Sequence, residues 1–298
     1  MKSFEIKKIL VPLDFSTTSL NALEYAVALA KRTNAEITLL HAIEHVYVTT
    51  DPRYAIVPPR ETINLDLDKI SKDSLTKVAE KLKRKGVAKV NTLSVSGRTH
   101  KEIIRVGKKL KADLIVMGTH GVSGFREFVM GSNTYRVVSD SLCPVLSVQK
   151  SSKITDFKTI LVPFSDAPHS REKVMYAINI AEIYGAELHI LGIDSEYSKA
   201  HSKKIALEAA QINKIVERHN LSCKVNVLSA PYNSATVLSY AKKIKAELVI
   251  IMGDTEKQNI AEYFTGSFSQ QIINHATIPI LSIHSNFNPN TVELWQGL

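Results

Sequence analysis

Residues 117–133, MGTHGVSGFREFVMGSN, hold the residue types best suited to chemistry. The segment leaves an apolar run at Gly118, passes His120, Gly121 and Gly124, and reaches Gly131-Ser132 where a helical pattern opens. Glycine lets a backbone approach a ligand closely and adopt positive φ. Successive free N–H groups in such a turn form an anion-binding concavity. The helix start beyond it adds further N–H donors and a positive dipole end. Ser132 offers a hydroxyl. A polyphosphate needs this set of groups. An isolated Gly-x-x-Gly more simply makes turns, but this loop begins at a strand's carboxyl end and closes on Gly-Ser at a helix start.

Asp14 closes the first apolar run, ILVPLD. A carboxylate there can accept hydrogen bonds from ribose hydroxyls or a base amine. It can equally cap the following helix together with Ser16, and position alone leaves both roles open. Two familiar phosphate motifs are absent. There is no GxxxxGK[ST], and PLDFSTTS stands where a dinucleotide fold would place GxGxxG.

Short β-rich runs alternate with helical patterns and position these residues. KKILVPL reads as a strand whose continuous apolar core suits a sheet covered on both faces. Leu20, Leu23, Ala26, Val27 and Ala30 then recur at helical spacing, with cap candidates from Ser16 to Ser19. AEITLLHAI is the second strand. Leu67, Ile70, Ser74, Val78 and Leu82 mark a second helix that stops at Gly86. VNTLSVS, HKEIIRVGKKLK, DLIVMG, a helix from Gly131-Ser132, and PVLSV complete the series. The alternation predicts an open parallel α/β sheet with right-handed crossovers.

The chain then repeats itself. TILVPFSDAPHSREKVMYAINIAEIYGAELHILGI (159–193) matches residues 8–42 at an offset of 151. Later pairs, such as CPVLSV (143–148) with IPILSI (278–283), match at 135, so the first copy carries about 16 extra residues. Two domains are expected, 1–150 and 153–284, with 285–298 as a C-terminal tail outside both copies.

Composition bounds the rest. The 298 residues are 44% hydrophobic with a net charge of +9, enough for real cores. The basic residues spread along helical segments such as KVAEKLKRKG, and no nucleic-acid motif accompanies them. No run of 18 apolar residues suggests a membrane span, and no signal-like h-region opens the chain. Cys143 and Cys223 build no disulfide framework. A cytoplasmic location is the expectation.

Gly118, Gly121 and Gly131-Ser132 spell Gly-x2-Gly-x9-Gly-[Ser/Thr], and this resembles the signature of the universal stress protein family. ILVPLDFSTTSLNALEYA also looks like that family's first strand and helix. The resemblance covers both copies, so the chain is similar to tandem members. It implies two five-stranded parallel sheets of order 3-2-1-4-5, with helices on both faces. It implies ATP, with Mg²⁺ held mainly by phosphate oxygens and water. By the same resemblance, Asp14 meets the nucleoside, flanked by the backbone of Pro12 and Leu13. Ala42 lies against adenine, and Gly118, Gly121, Gly131, Ser132 and Asn133 cradle the phosphates. Read from the sequence alone, His120 inside the loop can touch phosphate or simply face water, and Met117 packs in the core beside the loop. The resemblance further implies pairing through the fifth strands, here CPVLSV with IPILSI, as a pseudo-dimer within the chain. Two chains could then assemble as a homodimer.

The second copy departs from the signature. Its loop, MGDTEKQNIAEYFTGS (252–267), has Glu256 for the middle glycine and adds Asp254. Ser165 stands where Asp14 does, with Asp166 shifted by one. ATP in this half is not expected, although a metal could bridge Asp254, Glu256 and a phosphate. His169, His189 and His201 have no ligand-like spacing. The expected role is an ATP-binding regulatory protein with unknown protein partners. A slow ATPase or phosphotransferase, or a nucleotide-free scaffold, are the alternatives. The loop offers no evident catalytic base beyond His120 and Glu127, which favours binding over turnover.

Overall fold

The computed structural model describes residues 4–44, 60–119, 131–152, 156–166, 168–253 and 267–284. The first half runs β1 (Lys8–Pro12), α1 (Thr17–Thr33), β2 (Glu36–Ile43), α2 (Arg60–Arg84), β3 (Val90–Ser96), α3 (Thr99–Leu110), β4 (Leu114–Gly118), α4 (Ser132–Asp140) and β5 (Val145–Val148). The second runs β6 (Thr159–Phe164), α5 (Lys173–Tyr184), β7 (Glu187–Asp194), α6 (Lys199–Arg218), β8 (Cys223–Ser229), α7 (Ser234–Ile244), β9 (Leu248–Met252), α8 (Phe268–His275) and β10 (Ile280–Ile283). The tail 285–298 lies outside the described residues.

The sheet is covered on both faces, so its inner strands are apolar throughout. Ile9, Leu10 and Val11 are all fully buried. Ile9 and Val11 join the core under α1, α2, α5 and α6, whereas Leu10 joins the core under α3, α4, α7 and α8. Ser16 starts α1 by accepting the Ser19 N–H at 3.2 Å. Asn34 ends it in the left-handed region at φ 55°.

One helix turns a different face inward from the one its sequence suggests. Among the described side chains of α2 the buried ones are Ser71, Leu75, Ala79 and Leu82, while Leu67 and Ile70 are exposed. Leu75 and Leu82 are seven residues apart and share a face, which docks on β2 and β3. Ile70 lies about 140° around the helix from Leu75 at 3.6 residues per turn.

The two five-stranded parallel units expected from the sequence are present, and they join edge to edge through their fifth strands. There is a single ten-stranded sheet, ordered β3-β2-β1-β4-β5-β10-β9-β6-β7-β8. Each half keeps the expected order 3-2-1-4-5, and all pairings within a half are parallel. The halves fuse because β5 and β10 would each be a bare edge, with unpaired N–H and C=O groups. They pair antiparallel, Leu281 opposite Leu146.

Contacts outside the strands lock the same seam. Asn21 donates to the carbonyls of Gln149 and Ser152, at 3.0 and 2.7 Å. The Tyr25 hydroxyl meets Ser152 Oγ at 2.5 Å. Phe157 lies between the rings of Tyr25 and Tyr184, at 6.2 and 4.8 Å. Arg32 stands 4.8 Å over the Tyr184 ring and pairs with Asp156 at 2.6 Å. Both cysteines are free thiols, and burial pushes Cys143 up to about 12, which leaves it unreactive.

The cores of the two halves differ at one conspicuous place. Lys173, at the repeat position of Ala22, is fully buried, and its Nζ lies 3.3 Å from Ser170 Oγ. Burial lowers its pKa to about 7. The unfolded side chain keeps its proton up to about 10.5, so the folded state binds fewer protons between 7 and 10.5. Stability therefore rises with pH across that window, and the full penalty applies below it. Lys173→Met is expected to raise unfolding stability at pH 7 by on the order of 3 kcal/mol. Denaturant titrations should show that gain shrinking steadily as pH approaches 10.

Candidate functional site

The site forms where the winding of the sheet reverses. β1 and β4 are parallel neighbours, but α1 leaves β1 for one face and α4 leaves β4 for the other. The chain parts at their carboxyl ends, the place where open α/β sheets admit ligands. A cavity of about 160 Å³ opens there. Pro12, Leu13, Asp14, Ala42, Met117, Gly118, Gly131, Ser132 and Asn133 line it, all singled out by the sequence. Ser19, Leu40, His41, Thr99, Ile103 and Thr134 also line it and were not singled out. His120, Gly121 and Gly124, like Asp254 and Glu256 in the second copy, fall outside the described residues.

A tight turn after β1 aims Asp14. Phe15 holds φ at +61°, an uncommon conformation for an aromatic residue that costs roughly 1–2 kcal/mol. Three contacts hold that strain. Asp14 Oδ1 accepts the Ser16 N–H at 3.0 Å, so the carboxylate does support the start of α1. Leu13 N–H donates to the Leu40 carbonyl at 2.8 Å. His41 Nδ1 bonds the Leu13 carbonyl at 2.6 Å, and its ring lies 5.0 Å from that of Phe15.

The opposite wall joins the two ends of the glycine loop. Gly131 N–H donates to the Thr119 carbonyl at 2.8 Å, and Thr134 Oγ1 donates to the Gly118 carbonyl at 2.8 Å. Thr119 N–H is itself tied to Val148 at 3.0 Å. The loop thus departs and returns at one point on the cavity rim. α4 starts at Gly131, which supplies no side-chain cap. Ser132, Asn133 and Thr134 of its first turn, whose N–H groups have no partner within the helix, all line the cavity.

The second half treats the equivalent positions differently. Ser267 caps α8 with its own hydroxyl, accepting the Gln270 N–H at 3.3 Å. Phe268 replaces Asn133, and Tyr232 replaces Gly97. Their rings meet at 4.9 Å, and burial raises the Tyr232 pKa. Gly192 stands in place of His41. Any added Cβ there would come within 2.5 Å of Ile205 and 3.1 Å of the Phe164 ring. Aromatic packing and a self-capped helix thus stand where the first half has an open rim.

An open α/β unit with a ligand cavity at its winding reversal is the class that fold and site define. The family model described as the universal stress protein family matches residues 5–149 and again 156–284. A universal stress protein of Bacillus subtilis, YxiE, is 36% identical over 146 residues, covering 48% of this chain and 98% of its own length. MJ0531 of Methanocaldococcus jannaschii is 35% identical over 150 residues, covering 49% of this chain and 84% of its own. The crystal structure of a universal stress protein from Archaeoglobus fulgidus superposes with a TM-score of 0.75 at 20% identity, covering 94% of this chain and 97% of that one. The chain belongs to the universal stress protein family, with two copies of its unit in tandem.

Gly118 is the tightest point of the rim. A Cβ there would lie 2.8 Å from Thr18 Cγ2 and 3.0 Å from the Thr18 backbone. Gly118→Ala must therefore push β4 away from α1. The expected cost is about 1–3 kcal/mol, seen as a lower unfolding midpoint. Gly185, with nothing within 4 Å of an added Cβ but φ at +62°, should lose only about 1 kcal/mol on substitution by alanine.

Proposed function

We propose that this protein is a cytoplasmic, ATP-binding regulator whose nucleotide site lies in the N-terminal half only. The observation that carries the reading is the cavity at β1 and β4, rimmed by the uncapped start of α4 and by Gly118 and Gly131, the described ends of the Gly118-x2-Gly121-x9-Gly131-Ser132 sequence. Asp14 would accept hydrogen bonds from the ribose hydroxyls. Ala42 would lie against adenine, with Ile103, Leu40 and Met117 supplying apolar walls. The backbone N–H groups of Ser132 and Asn133, with the Ser132 hydroxyl, would meet the phosphates. About 160 Å³ is small beside the roughly 300–1,000 Å³ of typical ligand pockets. The cavity accordingly suits the nucleoside, with the phosphates running out over the rim past the start of α4. Asp14 is the one carboxylate among the described lining residues. Mg²⁺ would therefore be held by phosphate oxygens and water.

The same lining favours binding over turnover. Asp14 and His41 are its titratable groups, and both are engaged in shaping the β1 turn. Backbone donors stabilise ground-state phosphate and need not favour a transition state. Stress response is the role that family membership supports. No described helix is long and apolar enough to cross a membrane. Signalling would run through ATP occupancy, which biases the loop at the rim and so the surface offered to partners or to a second chain.

Calorimetry on the full chain is expected to give one ATP per chain. Asn133→Phe, which copies Phe268 into the first half, should abolish that binding while the unfolding midpoint stays within a few degrees. Two equivalent sites, or unchanged affinity in a folded Asn133→Phe protein, would contradict the assignment.

A further inference from the structure

The carboxyl ends of β6 and β7 hold a cluster of titratable side chains that ATP binding does not use. The spacing of His201 along the chain suggests no ligand set, and the fold corrects that reading by gathering three carboxylates around it. Its Nδ1 stands 2.5 Å from Oδ1 of Asp194. Asp194 is fully buried and accepts from the hydroxyls of Ser202 and Ser229 and from the N–H groups of Glu196 and Tyr197. A carboxylate that already accepts from four donors accepts from the ring as well, so Nδ1 carries the hydrogen and Nε2 is the nitrogen left to bind a metal.

That second nitrogen is buried and has no hydrogen-bond partner of acceptable geometry among the described residues. The side chain is 5% exposed. Nε2 faces Oδ2 of Asp166 at 3.3 Å and Oε1 of Glu196 at 3.9 Å. One ligand atom from each of the three residues lies within 4.8 Å of the other two.

We propose that His201 Nε2, Asp166 and Glu196 bind a divalent transition-metal ion of the zinc class. Ligands at 2.0–2.2 Å in a tetrahedron stand roughly 3.3 Å apart, which is the separation already present between Nε2 and Asp166. Glu196 has an exposed side chain and reaches that spacing by moving ~0.6 Å closer. An imidazole oriented by a carboxylate on its other nitrogen is how protein-bound zinc is commonly held. The imidazole also argues for zinc over Mg²⁺ or Ca²⁺. The fourth position stays open to water. Lys204 Nζ now sits 3.4 Å from Asp166 Oδ2, with the side chain more than half exposed. It is a weak cation in the metal's place and is displaced on binding.

The test is to titrate nucleotide-free, full-length protein with Zn²⁺ by calorimetry and with Co²⁺ by visible absorption. One site per chain is expected, with the intense band of four-coordinate Co²⁺. Glu196→Gln and Asp166→Asn should each weaken binding by about 10-fold or more, and His201→Asn should abolish it. Lys204→Met should tighten binding several-fold by removing the competing charge. Glu196 is exposed, so its variant reports on the site even if His201→Asn fails to fold. Wild-type binding no tighter than about 1 mM overturns the proposal. So does an affinity that neither Glu196→Gln nor Asp166→Asn changes.

Discussion

Everything at the candidate site depends on one topological constraint. β1 and β4 must be neighbours, yet their following helices must leave on opposite faces. Right-handed crossovers make this unavoidable in a 3-2-1-4-5 sheet. The divergence opens a cleft that backbone alone cannot close. Everything around the cleft follows from how its two lips are finished. On the β1 lip, strain at Phe15 is held by Asp14, His41 and the Leu13–Leu40 bond. On the β4 lip, Thr119 and Thr134 tie the glycine loop shut at its base.

The tandem arrangement adds a second consequence. A single half would expose β5 as an edge of four apolar or small residues, VLSV. Fusion with β10 buries both edges, and the α1–α5 contacts through Phe157 and Arg32 reinforce the joint. With folding and pairing provided for within one chain, the two clefts were free to diverge. The first kept an uncapped helix start and an open wall. The second took Phe268, Tyr232 and a self-capping Ser267. Its nearby strand ends acquired the buried Asp194–His201 pair instead.

Much of this was legible in the sequence because parallel strands buried on two faces read as unbroken apolar runs. Ile9-Leu10-Val11 and its copy Ile160-Leu161-Val162 are examples. Of the loop glycines that the spacing marks, Gly118 and Gly131 line the cavity. The phase of α2 was not legible, because Ile70 and Leu75 are both apolar and only docking chooses between them. His41 was missed because nothing along the chain indicates its bond to Leu13. The ion cluster was invisible for the same reason. Asp166, Asp194, Glu196 and His201 come from the end of β6, the end of β7, the turn after it and the start of α6. The single ten-stranded sheet was anticipated only as a pairing of fifth strands. Whether two edges fuse or remain apart depends on geometry that the local sequence does not encode.

The central claim is an asymmetry between two copies of one fold, and hydrogen exchange with and without ATP and Mg²⁺ tests it most directly. Protection on adding nucleotide is predicted for amides 13–19, 41–43, 118–119 and 131–134, with no change at the matching amides 164–166, 169–170, 192–194, 253 and 267–269. Equal protection in both sets, or protection confined to the second, would contradict the account.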